Sequence, residues 1–223
     1  NSSPLNNTLT NFSVTAIPQG KYIWNVYACD NSSNCAFATS NRTFTIDFAA
    51  PTITLPSYTN GTLKKNTETL TLNISVSDAG TSPSACRIDI NGTNQTFSVS
   101  SGWCNITNGF LTGLSDGNRT INVYANDTLN TFGLNNSFVV TIDSTAPVIA
   151  LPFYNNGTLK TNTDTLILNI SVSDATTNPS ACKIDINGTN QTFSVSSGWC
   201  NITNGFLTGL SDGNRTINVY AND

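Results

Sequence analysis

The chain has no histidine and no methionine, and only one of its 13 acidic residues is a glutamate, Glu68. Without histidine it lacks the commonest general base and one of the main zinc ligands. No other group is recognisable that would activate a serine as a nucleophile. We therefore predict that the protein is not an enzyme, with no catalytic residue and no cofactor.

Charge is also scarce, because charged residues make up 10% of the chain and the formal net charge is −4. Nothing resembles the basic surface that a nucleic-acid partner requires. No apolar run reaches the length of a membrane span, so none is predicted in this segment. The chain starts on Asn1, and we interpret it as a mature or excised segment whose targeting information is missing.

A repeat organises the sequence. LSDGNRTINVYAND, at Leu114–Asp127, recurs unchanged at Leu210–Asp223, and a divergent copy, IPQGKYIWNVYACD, lies at Ile17–Asp30. After a shift of 96 residues, positions 51–127 match 147–223 with 10 differences in 77. Such self-similarity predicts a tandem array of domains. The predicted domains are a partial repeat at 1–49, a complete repeat at 50–145 and, at 146–223, a repeat that lacks its last strand.

Short alternating segments predict that each repeat is built of β-strands. The clearest is Thr69–Asp78, where Leu70 begins an inward set at every second residue. Asn91-Gly92 is a strong signal for a two-residue hairpin turn. Seven or eight short strands separated by turns are typical of a β-sandwich. The predicted strands are Thr52–Leu55, Thr69–Asp78, Cys86–Ile90, Gln95–Val99, Trp103–Thr107, Phe110–Leu114, Arg119–Ala125 and Ser137–Asp143.

Three stretches resemble the immunoglobulin-like repeats of large archaeal and bacterial surface proteins. They are GLSDGNRTINVYANDTLN…NSFVVTIDSTAP, GKYIWNVYACDNSSNCAFATSNRTFTIDFAAP, and the cysteine pair in ACRIDINGTNQTFSVSSGWC. The resemblance covers the whole chain. It implies an all-β fold of tandem immunoglobulin-like β-sandwiches, an extracellular or cell-surface location, and a spacer, stalk, adhesin or fibre role without a particular ligand. The antibody pattern is absent, because Cys86 and Cys104 are too close in sequence to form the usual bridge between distant strands.

Six cysteines fall into pairs, which suits an oxidising compartment. The spacings fit no ordinary zinc site, so local structural disulfides are favoured over metal or redox chemistry. Closing an 18-residue loop should add about 3 kcal/mol of stability on the loop-entropy model. The predicted bonds are Cys29–Cys35, Cys86–Cys104 and Cys182–Cys200.

Asn-x-Ser/Thr sequons number 19, whereas composition alone predicts about nine. The excess favours N-glycosylation of an exposed surface, although Asn and Thr could instead merely occupy turns and outward strand positions. Asn41, Asn73 and Asn169 fall on outward strand positions, where a glycan would not touch the core. The predicted glycosylation sites are Asn1, Asn6, Asn11, Asn31, Asn41, Asn60, Asn73, Asn91, Asn94, Asn105, Asn118, Asn126, Asn135, Asn156, Asn169, Asn187, Asn190, Asn201 and Asn214.

Most acidic residues sit at turns or strand ends, where capping of the turn is the favoured interpretation. The alternative is calcium, for which Asp47 and Asp143 are candidates because each precedes the next repeat by a few residues. Each candidate is a single aspartate in the sequence and not part of a cluster.

The three tryptophans are interpreted as core residues. Trp24 falls on an inward strand position, and Trp103 and Trp199 adjoin cysteines. The alternative is a carbohydrate-binding platform, which requires exposed rings.

The sequence thus predicts a structural, disulfide-bonded extracellular glycoprotein that forms a stalk or filament. The alternative is an adhesin whose repeats bind a carbohydrate or another surface ligand. Both terminal repeats are partial, so each should be completed either within a longer tandem array, which we favour, or by strand addition from a neighbouring copy. Either route makes the partner the protein itself, joined end to end.

Overall fold

The computed structural model describes residues 11–108, 110–204 and 207–223, and all regular structure in them is β-strand. Within these residues there is no helix of the length and hydrophobicity needed to cross a bilayer. The strands are β1 (Gly20–Trp24), β2 (Tyr27–Cys29), β3 (Cys35–Phe37), β4 (Arg42–Ile46), β5 (Thr52–Thr54), β6 (Thr62–Lys64), β7 (Leu70–Ser77), β8 (Pro83–Ile90), β9 (Thr93–Ser98), β10 (Trp103–Asn108), β11 (Gly117–Asp127), β12 (Phe132–Ile142), β13 (Val148–Ala150), β14 (Leu166–Ser173), β15 (Ala181–Ile186), β16 (Thr189–Ser194), β17 (Trp199–Asn204) and β18 (Ile217–Asn222).

The described chain divides into two compact units. The first contains residues 11–60, 69–110 and 120–139, and the second contains 61–68, 111–119 and 140–223. Strands β11 and β12 contribute residues to both.

In the first unit, one sheet has the order β10-β7-β5, and the second contains β12, β11, β8 and β9 in that order. Strands β1–β4 form two antiparallel pairs, β1 with β4 and β2 with β3. The β8–β9 hairpin turns at Asn91-Gly92, where both residues have positive φ, 53° and 85°. Because this geometry favours Asn-Gly, the hairpin predicted from that dipeptide is confirmed.

The core of the first unit follows from alternation along its strands. In β7 the inward set from Leu70 to Val76 is buried at every second residue, while most of the residues between them are exposed. The same alternation in β8 and β11 buries Ile88 and Val123 completely. Removing such side chains from water supplies about 1.5–3 kcal/mol each, which is the main force holding two thin sheets together.

The second unit repeats the arrangement with strands β13 to β18. One sheet has the order β13-β14-β17 and the other β16-β15-β18, and β6 pairs in parallel with Val140–Ile142 of β12. Its buried cluster contains Leu166, Leu168, Ile170, Val172, Cys182, Ile184, Ile186, Cys200 and Ile202.

One predicted strand is wrong, and one strand of the structure was not predicted. Phe110–Leu114 is not a strand but a turn-rich connection, in which Leu114 donates its backbone N–H to the Leu111 carbonyl at 3.0 Å. Its apolar residues suggested a strand because Phe110 and Leu111 are buried, and burial alone does not require extended structure. Strand β6 was not predicted, because three residues are too few to show the alternation of apolar and polar residues that marks a strand.

Candidate functional site

The three cysteine pairs of the structure are Cys29–Cys35, Cys86–Cys104 and Cys182–Cys200. The first closes the small β2–β3 pair, as expected of a local bond. The other two join the cysteines that were predicted to pair, but they are not local to one hairpin, which corrects the sequence interpretation. They join β8 to β10 and β15 to β17, strands that lie in different sheets.

Most sequons lie on the surface. Among the described residues, the asparagine side chain is exposed at 15 of them and half-buried at Asn126 and Asn135, while Asn1 and Asn6 lie outside the described residues. The exposed ones are Asn11, Asn31, Asn41, Asn60, Asn73, Asn91, Asn94, Asn105, Asn118, Asn156, Asn169, Asn187, Asn190, Asn201 and Asn214.

Sequons also pair across strands on the outer face of the three-stranded sheets. Asn73 of β7 stands directly opposite Asn105 of β10, and Asn169 of β14 stands opposite Asn201 of β17. Directly opposed residues have Cβ atoms about 4.5–5.5 Å apart, so two neighbouring sites share one patch of surface.

The tryptophans do not lie in the core, which corrects the sequence interpretation. Trp103 is 41% exposed and Trp24 is 49% exposed. Because Cys104 points inward, its neighbour Trp103 must point outward on the same strand. Trp199 is half-buried and stacks against Phe153, with ring centroids 6.0 Å apart. This pair lines a shallow depression together with Asn169 and Asn201.

A cluster of three carboxylates lies in the first unit. One oxygen each from Asp47, Asp78 and Asp127 lie within 4.8 Å of one another. The three residues follow or end β4, β7 and β11 respectively, so the fold brings together chain segments that are 31 and 49 residues apart.

Hydrogen bonds hold at least one oxygen of each carboxylate in the first cluster. Asp78 Oδ1 accepts from the backbone N–H groups of Gly80 and Thr81 at 2.8 and 3.1 Å. Asp127 Oδ1 accepts from the N–H groups of Leu129 and Thr131, both at 2.8 Å.

Asp47 Oδ1 accepts from the N–H of Ala49, and its Oδ2 accepts from the hydroxyl of Thr81 at 2.7 Å. The second oxygens of Asp78 and Asp127 are buried and have no hydrogen-bond partner.

The cluster recurs in the second unit. Asp143, Asp174 and Asp223 lie within the same mutual distance, and each is 96 residues after its counterpart. The supporting bonds recur as well, since Thr177 donates its hydroxyl to Asp143 and its backbone N–H to Asp174. Asp174 Oδ2 is again buried without a partner.

Asp127 is the most buried of these residues, with none of its surface exposed. Burial by itself would raise the pKa of Asp127. The Thr131 N–H, the nearby Thr81 hydroxyl and the Leu129 N–H together outweigh it and hold that pKa below its ordinary value. The carboxylate is therefore charged at neutral pH. The one ion pair found among the described residues, Lys64–Glu68, involves neither cluster.

Sequence reasoning singled out Asp47 and Asp143 and did not find their partners. A usable signal was present, because Asp78 continues the inward set of β7 and Asp127 continues that of β11. A charged residue on the buried parity of a strand needs compensation. That these positions meet in space could not be known without the fold.

A match to a known protein family agrees with this architecture. The family model described as "Bacterial Ig-like domain (group 3)" matches residues 6–112 and again 110–208. No curated protein sequence gives a significant match.

Among solved structures, the chain is similar to fibronectin(III)-like modules of Clostridium thermocellum CbhA, at 16% identity and TM-score 0.37, over 76% of this chain and 85% of that one. It is also similar to a 1.5-MDa bacterial ice-binding adhesin, at 14% identity and TM-score 0.42, over 91% and 73% of the two chains. Escherichia coli alpha-2-macroglobulin matches at 14% identity and TM-score 0.34, over 92% of this chain and 21% of that one.

Proposed function

The chain belongs to the bacterial Ig-like domain family, group 3, and on that premise we propose that it is a non-enzymatic structural glycoprotein of the cell surface. Its tandem sandwiches form a stalk or filament. The observation that carries the proposal is a recurrence at 96 residues of the same disulfide between sheets and the same outer-face sequons. A repeated, cross-linked unit with a polar outer face suits a spacer that stands in solvent.

Glycosylation is supported by the geometry of the outer face. Every second residue of β10 projects from the same side of the sheet, and one such set is Trp103, Asn105 and Thr107. A sugar attached to Asn105 would have an exposed aromatic face about 7 Å away along the strand, on which its apolar C–H groups could pack. The same set recurs on β17 as Trp199, Asn201 and Thr203.

Native surface material tests the filament. Electron micrographs should show regular fibres with an axial repeat of about 30–45 Å per domain, from strands of about eight residues at about 3.3 Å each plus turns. Antibodies raised against the chain should label these fibres, and labelling confined to the cell interior would contradict the proposal. Boiling in detergent and reductant, followed by deglycosylation, distinguishes a longer covalent array from copies joined by strand addition. A covalent array stays very large, while strand-exchanged copies separate into one small species.

The alternative function is adhesion, and the stacked Phe153–Trp199 pair is the observation that favours it. Phe153 is 73% exposed, and the depression beside it has the mixed aromatic and amide lining that sugars bind. Saturable binding of an oligosaccharide by the unglycosylated chain, lost in Trp199→Ala and kept in Trp24→Ala, would support adhesion over a purely structural role.

A further inference from the structure

We propose that the chain binds two calcium ions, one held by Asp47, Asp78 and Asp127 and the other by Asp143, Asp174 and Asp223. This assignment does not depend on the stalk proposal, since it concerns binding by the carboxylates themselves.

The buried, unpartnered oxygen of Asp127 is the observation that points to a ligand. The residue has no exposed surface, and while Oδ1 accepts two hydrogen bonds, Oδ2 has no donor. A buried charged oxygen without a partner is strongly unfavourable, whereas a cation coordinated to it removes the penalty. Asp78 Oδ2 is likewise buried without a hydrogen-bond partner, and Asp78 and Asp127 belong to the same cluster.

The spacing of the oxygens fits calcium. Two oxygens coordinated to one ion at about 2.4 Å can be at most about 4.8 Å apart, and calcium–oxygen distances range over about 2.3–2.6 Å. The three oxygens of each cluster lie within 4.8 Å of one another. Magnesium is less suited to an all-protein cluster, because it demands near-ideal octahedral geometry and usually keeps several of its waters.

The chemistry of the ligands also favours a hard cation. Each cluster offers carboxylate oxygens and no nitrogen or sulfur, because the chain has no histidine and the six cysteines are bonded in pairs. Three carboxylates bring three negative charges together, and the ion would supply the missing compensation. Calcium takes six to eight oxygens, so waters or backbone carbonyls would complete the shell.

The surrounding hydrogen bonds hold the ligands in place before the ion arrives. In both clusters one threonine ties two carboxylates together, Thr81 in the first and Thr177 in the second. Only small side-chain movements are then needed on binding, which lowers its entropic cost.

The first site is the more fully described of the two. Asp127 is fully buried and its Oδ1 is held by two backbone N–H groups. A ligand that is already ordered loses less freedom on binding, which favours calcium there. Bound calcium would fasten the end of β4 to the ends of β7 and β11 within the first unit.

The proposal is tested by isothermal titration calorimetry on the oxidised, unglycosylated 223-residue chain, from which metals have first been removed with EDTA. Titration with calcium chloride should show two sites per chain, with dissociation constants of about 0.1–1 mM, as in other extracellular calcium modules. Asp127→Asn should weaken calcium binding at the first site at least tenfold, and Asp174→Asn should do the same at the second. Asparagine keeps Oδ1 as an acceptor, so the turn after residue 127 is preserved while the charge is lost.

The matched control is Asp89→Asn. Asp89 Oδ1 also accepts a hydrogen bond from a turn N–H, that of Gly92 at 2.8 Å. Because Asp89 lies outside both clusters, calcium binding at both sites should be unchanged in this variant. Circular dichroism checks that each variant is folded, and Asp78→Asn replaces Asp127→Asn if the latter is not. Calcium should raise the melting temperature of the unmodified chain and of Asp89→Asn, but not that of an Asp127→Asn, Asp174→Asn double variant.

Three results would overturn the assignment. One is the absence of binding at 10-fold above the expected dissociation constants. Another is unchanged calcium binding in a folded Asp127→Asn chain, which would leave these aspartates as turn caps only. The third is an equal affinity for magnesium, which would contradict calcium as the ion.

Discussion

Cys86 of β8 is bonded to Cys104 of β10, and these strands lie in different sheets of the sandwich. Both residues are buried, so the bond crosses the core even though only 18 residues separate them. The β8–β9 hairpin turns back along one sheet, and the chain then crosses to the other. A short sequence separation therefore coexists with a link between sheets.

Removing this bond should destabilise the first unit substantially. Cys86→Ala with Cys104→Ala is expected to lower the free energy of unfolding by about 3 kcal/mol, from the closed loop of 18 residues. Cys29→Ala with Cys35→Ala should cost less, about 2 kcal/mol, because the loop is shorter. Chemical denaturation measures the free energy of unfolding of both double variants. Peptide mapping without reduction should recover Cys86 with Cys104, and a bond from Cys86 to another repeat would contradict the structure.

Sequon occupancy should follow exposure and hydrogen bonding. Asn73 and Asn169 are exposed on flat outer faces and should carry glycans. Asn126 is half-buried, and its Nδ2 donates to both the Asp127 carbonyl and the Asn130 side chain, so a glycan would replace one of these bonds. Glycopeptide mass spectrometry of native material should find Asn126 the less occupied. Full occupancy at Asn126 with empty Asn73 would refute the geometric argument.

The ring of Trp103 should stabilise the glycosylated protein more than the bare one. Trp103→Ala is expected to lower the stability of the glycosylated chain by about 1 kcal/mol more than that of the unglycosylated chain, because a sugar on Asn105 loses its aromatic partner. A double-mutant cycle with Asn105→Gln isolates this coupling from the general effect of removing the ring. Zero coupling would show that the sugar does not contact the ring.

Asp116 should contribute to acid sensitivity. The hydroxyl of Thr145 and the backbone N–H of Ser144 donate hydrogen bonds to its carboxylate, and the Thr145 bond above all holds the pKa of Asp116 below its ordinary 3.8. A depressed folded-state pKa gives stability that is present above the unfolded value and is lost as the pH falls through the folded one.

Asp116→Asn should therefore flatten the fall in the denaturation midpoint as the pH is lowered from about 5 to about 2.5. Asp212→Asn, at the equivalent position of the next repeat, is the control, because none of the hydrogen bonds found among the described residues involves Asp212. Identical pH profiles for the Asp116 variant and the unmodified chain would contradict the prediction.

Features that depend on neighbouring residues could be predicted from the sequence alone. The alternation in Thr69–Asp78 marked a strand with one buried face, Asn91-Gly92 marked a hairpin, and self-similarity at 96 residues marked a tandem array. The strand and the hairpin follow from geometry that acts over a few residues, whereas the array follows from the repetition itself.

Features that depend on distant residues were decided only by the tertiary structure. Asp47 carried no sign that Asp78 and Asp127 would meet it, because the contact depends on how two sheets pack and where three strands end. The outward direction of Trp103 was hidden, since an aromatic beside a buried cysteine suggested the core until the pleat of β10 placed the two on opposite faces. Phe110 and Leu111 likewise are buried by the packing of the domain and not by a strand of their own. The sequence by itself determined the repetition and most of the strands, and the packing of those strands decided which side chains share a site.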